Sequence, residues 1–389
     1  MILMNTDRPV LYYDLQDYTI QVIDNDFLPY ALKDYIKSTQ ISNDKKIYIQ
    51  NIKNIECLRD FLSGRILNIY KSNAKAILNS AQFPGKLNTN DRIAICESCR
   101  ALSMTDNFWL KKDEENIKFS EVNLREKHLQ DAAFDISILG KILTVSKDVL
   151  APDINTQGMF SKTWYRTESN IKLMKTDLTA QKINTKAEIQ VSNILDYTNV
   201  SHVKYQKYIK DDILLAVCSC IATNDKSMIS GQDFKDWCEH TNKNMLNEIM
   251  KINKSLFSKM VVIDYLLSNT DRHFENFAFL VDNNTNTIID MTPLYDHNQA
   301  IIADVFGTNI DDYIYEPTGK TMKESAIEYF PYSNLEIDVE KCKSKKLDVF
   351  FENKLSFIDK FIQLQELTKT KPIPQQSKIR HDYSDFPEL

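Results

Sequence analysis

Two apolar runs, FAFLV at 277–281 and TIIDM at 287–291, joined by the turn-forming DNNTN, constrain the fold of this chain more than any other stretch. They predict an antiparallel hairpin. Asn276 immediately precedes the first run and Asp296 follows the second, so strand pairing returns both side chains to the same end. Upstream, SLFSKMVVIDYLLSN is apolar around most of a helical circumference, which predicts a helix inside a lobe. That helix ends by delivering Asn269 and Asp271. A helix, a tight Asp271-x-His273-x-x-Asn276 turn and a hairpin leading to Asp296 thus gather two carboxylates and an amide in one place.

The rest of the chain sets limits on what that place can serve. With 389 residues there is room for two or three compact units, and 43% hydrophobic with 26% charged residues is the balance of a globular protein. A net charge of -6 supplies no basic surplus, so direct nucleic-acid binding is not expected. The start, MILMNTDRPVLYYDLQDY, lacks a cationic lead into an apolar run, and no later stretch reaches about 18 uninterrupted apolar residues, so the expectation is a cytoplasmic chain with no membrane segment. Seven scattered cysteines do not make a disulfide framework. Cys96-x-x-Cys99 and Cys218-x-Cys220 have unmatched spacings and read as buried small side chains rather than halves of a zinc site.

Residues 1 to about 140 read as mainly helical after a short strand, with IECLRDFLSGRILNIYKSNAKAILNS showing three- and four-residue apolar spacing. NFWLKKDEENIKFSEVNL alternates around a charged turn, DAAFDISILG reads as a buried edge ending at Gly140, and a boundary is expected near 140–153, where APD follows a strand-like run. KTWYR, TESN and IKLMK then predict a hairpin whose second strand carries Ile171, Leu173 and Lys175 on one face. A helix is expected from Thr185 with Val191, Ile194 and Leu195 on its apolar stripe. DILLAVCSCIA reads as another strand, and 219–225 as a connection between lobes.

Phosphoryl transfer needs a carboxylate to orient the attacking hydroxyl, oxygen ligands for magnesium and a cation on the phosphates. Asp271, Asn276, Asp296 and Lys175 match that list, and the interval of five between Asp271 and Asn276 is the catalytic-loop spacing of protein kinases. Each residue also has a plainer reading. Asp271 and Asn276 suit helix-end caps, Asp296 a turn after Pro293, and Lys175 a solvated strand end. Glu188 is either the partner of Lys175 or the acidic member of a Thr185-x-x-Glu188 capping box.

NTDRHFENFAFL followed by MTPLYDHNQA resembles the signature of the HipA-like serine/threonine kinases, Asn-x-Asp-x-His-x-x-Asn and then Pro-x-Tyr/Phe-Asp. GMFSK at 158–162 is similar to that family's phosphate loop and IKLMK to its nucleotide-lysine strand, so the resemblance spans roughly residues 150–330. It implies a two-lobed, protein-kinase-like α+β fold, with a small nucleotide-binding lobe over 150–225 and a helical catalytic lobe over 226–368; outside it, residues 1–140 read as an amino-terminal accessory region and the polar, proline-bearing 369–389 as a flexible tail. Carried over, it implies Asp271 as the catalytic carboxylate with His273 in support, Asn276 and Asp296 as magnesium ligands, and ATP held by Gly158, Met159, Phe160, Ser161, Lys162 and Lys175. The implied activity is ATP- and Mg2+-dependent phosphorylation of a serine or threonine on a protein acceptor, in a toxin-like regulator of growth or translation with an antitoxin partner. Two rival readings are an inactive nucleotide-binding scaffold and a small-molecule or lipid kinase. The chain departs from the pattern where His297-Asn298-Gln299 replaces Asn-Gly after the aspartate, and where Asn155, with Thr156 beside it, replaces the regulatory serine.

Overall fold

The amino-terminal region is built on a sheet as well as helices. In this computed structural model the described residues are 1–369 except 43, 85, 86, 128, 130, 157 and 169. Strands β1 (Ile2–Asn5), β2 (Arg8–Asp14) and β3 (Thr19–Val22) form a meander, followed by helices α1 (Lys45–Gly64), α2 (Ala74–Ser80) and α3 (Thr89–Ser98). Strand β4 (Phe108–Lys111) then returns beside β1, giving the antiparallel order β3-β2-β1-β4. NFWLKKDEENIKFSEVNL is therefore not a hairpin. Its first half pairs with β1, and its second half holds the short α4 (Phe119–Val122), whose Phe119 N–H donates to the Asp7 carboxylate at 2.6 Å.

Two further expectations are corrected here. DAAFDISILG forms helix α5 (Asp131–Ser137), not a strand, because Ala133, Phe134, Ile136 and Ser137 are buried at helical spacings. The run before APD is helix α6 (Lys147–Ile154), capped by the Ser146 hydroxyl, and Leu150 and Ile154 belong to the amino-terminal core. The chain leaves that core only after Ile154.

The expected hairpin follows as β5 (Ser161–Arg166) and β6 (Ile171–Thr176). Helix α7 (Ile183–Leu195) places Val191, Ile194 and Leu195 in the large core, and β7 (Gln206–Lys210) with β8 (Ile213–Ser219) completes the antiparallel sheet β5-β6-β8-β7. In the large lobe come β9 (Lys226–Ser230), α8 (Gly231–His240), α9 (Met245–Leu266), β10 (Ala278–Asp282) and β11 (Thr287–Met291). Helices α10 (Ile302–Val305), α11 (Met322–Ser333), α12 (Val339–Ser344) and α13 (Phe357–Lys369) finish it. The hairpin read from sequence is β10–β11, with β9 on its other side. Of the expected tail, residues 370–389 lie outside the described residues.

The amino-terminal region touches both lobes. Trp109 and Trp164 share one apolar cluster with Met4 and Leu173, joining it to the small lobe. Tyr30 enters the core of the large lobe, edge-on to Trp237 at 5.4 Å between centroids, and the Met228 N–H donates to the Thr105 carbonyl at 2.8 Å. Fully burying an aromatic ring of this size contributes about 2–3 kcal/mol, so these anchors make the region an integral part of the fold.

Candidate active site

At the meeting of the two lobes, the next-to-last residue of β6 is Lys175, which is 5% exposed. Its ammonium donates to Glu188 Oε1 at 2.7 Å and to Asp296 Oδ1 at 2.8 Å, and lies 3.4 Å from the Tyr205 hydroxyl. Burial acts to lower the Lys175 pKa, but Asp296 and Glu188 outweigh it, so the side chain titrates above the usual lysine range. Lys175 is thus a fixed cation. Burial also acts to raise Asp296, yet Lys175 and Lys162 hold it below the ordinary carboxylate range, while for Glu188 burial prevails and the pKa rises.

The two readings of Glu188 are separated by how α7 begins. Thr185 is not the N-cap but the third helical residue, after Ile183 and Asn184. Its N–H and hydroxyl both donate to the Asp177 carboxylate at 2.9 Å, so Asp177 satisfies that orphan amide. With the helix start provided for from outside, Glu188 turns inward to Lys175 and no capping box forms.

Lys162 and Lys175 are directly opposite each other across β5–β6, and both are buried. Like charges so placed repel. Burial, reinforced by Lys175 and opposed by Asp296, lowers the Lys162 pKa. The ammonium folds beneath the 158–160 turn, where Gly158 has φ +95° and an added Cβ would come 2.2 Å from Lys162 Nζ. Only glycine leaves that space. Met159 is exposed and Phe160 half-buried outside the sheet, whereas Ser161 is fully buried within β5 with its hydroxyl accepting from Asn73 Nδ2 at 3.1 Å.

Across the cleft, the segment after α9 carries Asp271, His273 and Asn276. Asn276 is buried and its Nδ2 donates to the Asp271 carbonyl at 2.7 Å, bracing the loop across five residues. His273 Nδ1 accepts from the Glu275 N–H at 3.3 Å, so it caps the short turn over Phe274–Asn276. The Asp271 side chain is exposed, and desolvation together with the nearby Asp296 charge raises its pKa against the influence of His273. The start of α8 presses on this loop: a Cβ at Gly231 would meet the Phe274 carbonyl at 2.6 Å.

Several residues that hold the site were not singled out from sequence. Arg272 has no exposed side-chain surface and makes a two-pronged ion pair with Asp264, at 2.8 and 3.0 Å. It also donates to the carbonyls of Asn276 and, at 2.8 Å, Tyr295, tying the loop to the residue before Asp296. Asp264 receives two further donors, Asn269 Nδ2 at 2.7 Å and the Tyr315 hydroxyl at 2.6 Å. Asp296 adopts φ +58°, an unusual left-handed conformation for a non-glycine residue, and Asn298 Nδ2 donates to its Oδ1 at 2.5 Å. Asn184 of α7 in turn donates to the Asn298 carbonyl at 3.1 Å. The His-Asn-Gln departure therefore supplies an amide that orients Asp296. A signal for Arg272 was present: Asp264 stands alone in the apolar MVVIDYLLSN, and a buried carboxylate demands a partner.

The donor set suits a hard divalent cation. The Asp296 charge raises the cost of ionising Asp271, and Asn276 adds a neutral amide beside Asp271, the oxygen-rich chemistry that magnesium takes. The two cysteine pairs lie apart, Cys96 and Cys99 in the amino-terminal core and Cys218 in the small lobe, so they do not form one metal site.

No protein-family model matches the chain, and no curated protein matches it. Among solved structures, the chain is similar to HipA of Shewanella oneidensis MR-1, from a toxin–antitoxin complex with HipB and operator DNA. That match covers 95% of this chain and 100% of that one, at 11% identity and a TM-score of 0.51. The proinflammatory kinase CtkA of Helicobacter pylori is similar over 54% of this chain and 90% of that chain, at 12% identity and a TM-score of 0.38. The first likeness establishes a HipA-like, two-lobed α+β fold, and it extends through the amino-terminal region.

Proposed function

We propose that this chain is an ATP- and magnesium-dependent phosphotransferase that phosphorylates a serine or threonine hydroxyl of a protein. The observation that carries the reading is Lys175, buried and bound to both Glu188 and Asp296, facing the loop that presents Asp271 and Asn276. A lysine held charged between a helix glutamate and a metal-position aspartate is what kinase chemistry requires of its nucleotide cleft. A scaffold needs no such arrangement.

In this reading the small nucleotide-binding lobe is 150–225, the catalytic lobe 226–368 and the accessory region 1–140. Lys175 and Lys162 bind phosphate oxygens, with Gly158, Met159 and Phe160 closing over them. Asp271 orients the acceptor hydroxyl and takes its proton as the oxygen bonds to the γ-phosphorus and ADP departs with the bridging oxygen. Asn276 and Asp296 would hold magnesium, which supplies charge neutralisation on the phosphates. Arg272 keeps the Asp271 loop and Asp296 in register. His273 supports the loop from its cap. By analogy with HipB in the Shewanella complex, the proposal extends to an antitoxin partner that carries the DNA contact.

The test is incubation of purified chain with γ-labelled ATP, magnesium and total cell lysate. A labelled protein band that disappears with Lys175→Met supports the reading. Label in lipid or small metabolites redirects the acceptor class, and no label with bound nucleotide points to the scaffold.

A further inference from the structure

Behind the nucleotide turn stands a row of contacts from the amino-terminal region. Leu67 N–H donates to the Ile154 carbonyl at 2.7 Å, and Ser72 N–H to the Met159 carbonyl at 2.8 Å. Lys71 Nζ donates to the carbonyls of Thr156 at 2.9 Å and Asp153 at 3.3 Å. Asn73 Nδ2 reaches the Ser161 hydroxyl at 3.1 Å, and Asn155 Nδ2 donates to the Leu102 carbonyl. Six of the eight described residues from 153 to 161 have a tie to 67–73 or 102.

These ties have a direction. Within a trans peptide the C=O and the following N–H point opposite ways. With the Met159 carbonyl drawn toward Ser72, the Phe160 N–H is aimed to the other side of the turn, away from the amino-terminal region. A buried amine serving only carbonyls is costly, since Lys71 is 3% exposed. Burial and the nearby Lys162 push its pKa down to about 7, against the pull of the buried Asp153 carboxyl. A residue useful only for packing would not need an amine there. Thr156 is also braced by Trp164, whose indole N–H donates to its hydroxyl at 2.7 Å.

We propose that Lys71, with Ser72 and Asn73, is a positioning element for the nucleotide turn, so that residues 67–73 complete the phosphate-binding surface from behind without touching the nucleotide. The amino-terminal region then contributes to ATP affinity. This inference rests on the phosphotransfer reading, because it supposes that the 158–160 turn receives phosphates.

The test measures binding of Mg-ADP and of a non-hydrolysable Mg-ATP analogue to the full-length chain and to Lys71→Met, well below the melting temperature. Loss of the two donated hydrogen bonds should raise Kd about tenfold. A Kd within twofold of the parent, even with a lowered melting temperature, would show that Lys71 is a structural strut and overturn the inference. Should Lys71→Met fail to fold, hydrogen exchange on the unaltered chain decides: the analogue should slow exchange in 67–74 together with 153–162, while 8–22 is unchanged. Slowing confined to 153–162 contradicts the inference. If the unaltered chain binds neither nucleotide, the phosphotransfer reading itself falls, an outcome separate from the others.

Discussion

Two buried lysines, about a hundred residues apart in sequence, are solved in opposite ways. Lys175 is bonded to two carboxylates and held charged, whereas Lys71 donates only to carbonyls, and burial pushes both it and the nearby Asp153 carboxyl toward neutrality. The difference separates two uses of one side chain. A lysine bonded to counter-charges is a permanent field source that a phosphate can use, while one whose hydrogen bonds go to backbone carbonyls is a donor that sets the shape of the backbone.

The largest effect is expected where a counter-charge is removed outright. Arg272→Leu leaves Asp264 buried with an uncompensated charge and should lower stability by about 3–5 kcal/mol, read from urea denaturation. A loss under about 1 kcal/mol would mean that Tyr315 and Asn269 suffice for Asp264. Next comes Lys175→Met, which should cut phosphate transfer by about a hundredfold to a thousandfold, the size of losing one preorganised charge partner. Because it also strands Glu188, the double variant with Glu188→Gln should be more stable than Lys175→Met alone. If the double variant is less stable, Glu188 is not held mainly by Lys175.

The two lysines also predict opposite responses to pH. Asp296 has a folded pKa below its unfolded value near 4, so the stabilisation it shares with Lys175 is complete above about pH 4 and is lost as pH falls further. Lys71 has a folded pKa of about 7 against an unfolded value near 10.5. Between those values the unfolded chain binds a proton that the folded chain does not, so stability rises with pH across that window. Lys71→Met should flatten the rise relative to the parent in urea titrations from pH 7 to 10. A difference between the two proteins that is constant across that range would remove the assignment.

The smallest predicted effect concerns His273, whose charge favours ionised Asp271. His273→Ala should move the acid limb of the kcat/KM profile upward by a fraction of a unit. A downward shift would mean that His273 acts on Asp271 in some other way.

What could be read without the structure follows from how local each signal is. The β10–β11 hairpin, α9 and the β5–β6 hairpin carry their periodicity and turn residues in one continuous stretch, so they are legible, as is the return of the chain to one end of the β10–β11 hairpin between Asn276 and Asp296. The amino-terminal sheet is not, because β4 joins β1 across a hundred residues and three helices. Helix α5 reads as a strand in sequence because burial on adjacent positions of a short element imitates an apolar run. Glu188 stood between two roles because Thr185 and Asp177 settle the helix start only once folded. Lys71 had no sequence signal at all: its partners are backbone carbonyls, which every residue possesses.

The central claim is that the cleft between Lys175 and Asp271 transfers a phosphoryl group, and Asp271→Asn tests it most directly. Its rate of transfer and its affinity for Mg-ATP are measured side by side with the parent protein. Since the carboxylate acts on the attacking hydroxyl and not on bound nucleotide, transfer should be abolished while Kd stays within a few-fold. Transfer at the parent rate, with the loop intact, would contradict the account.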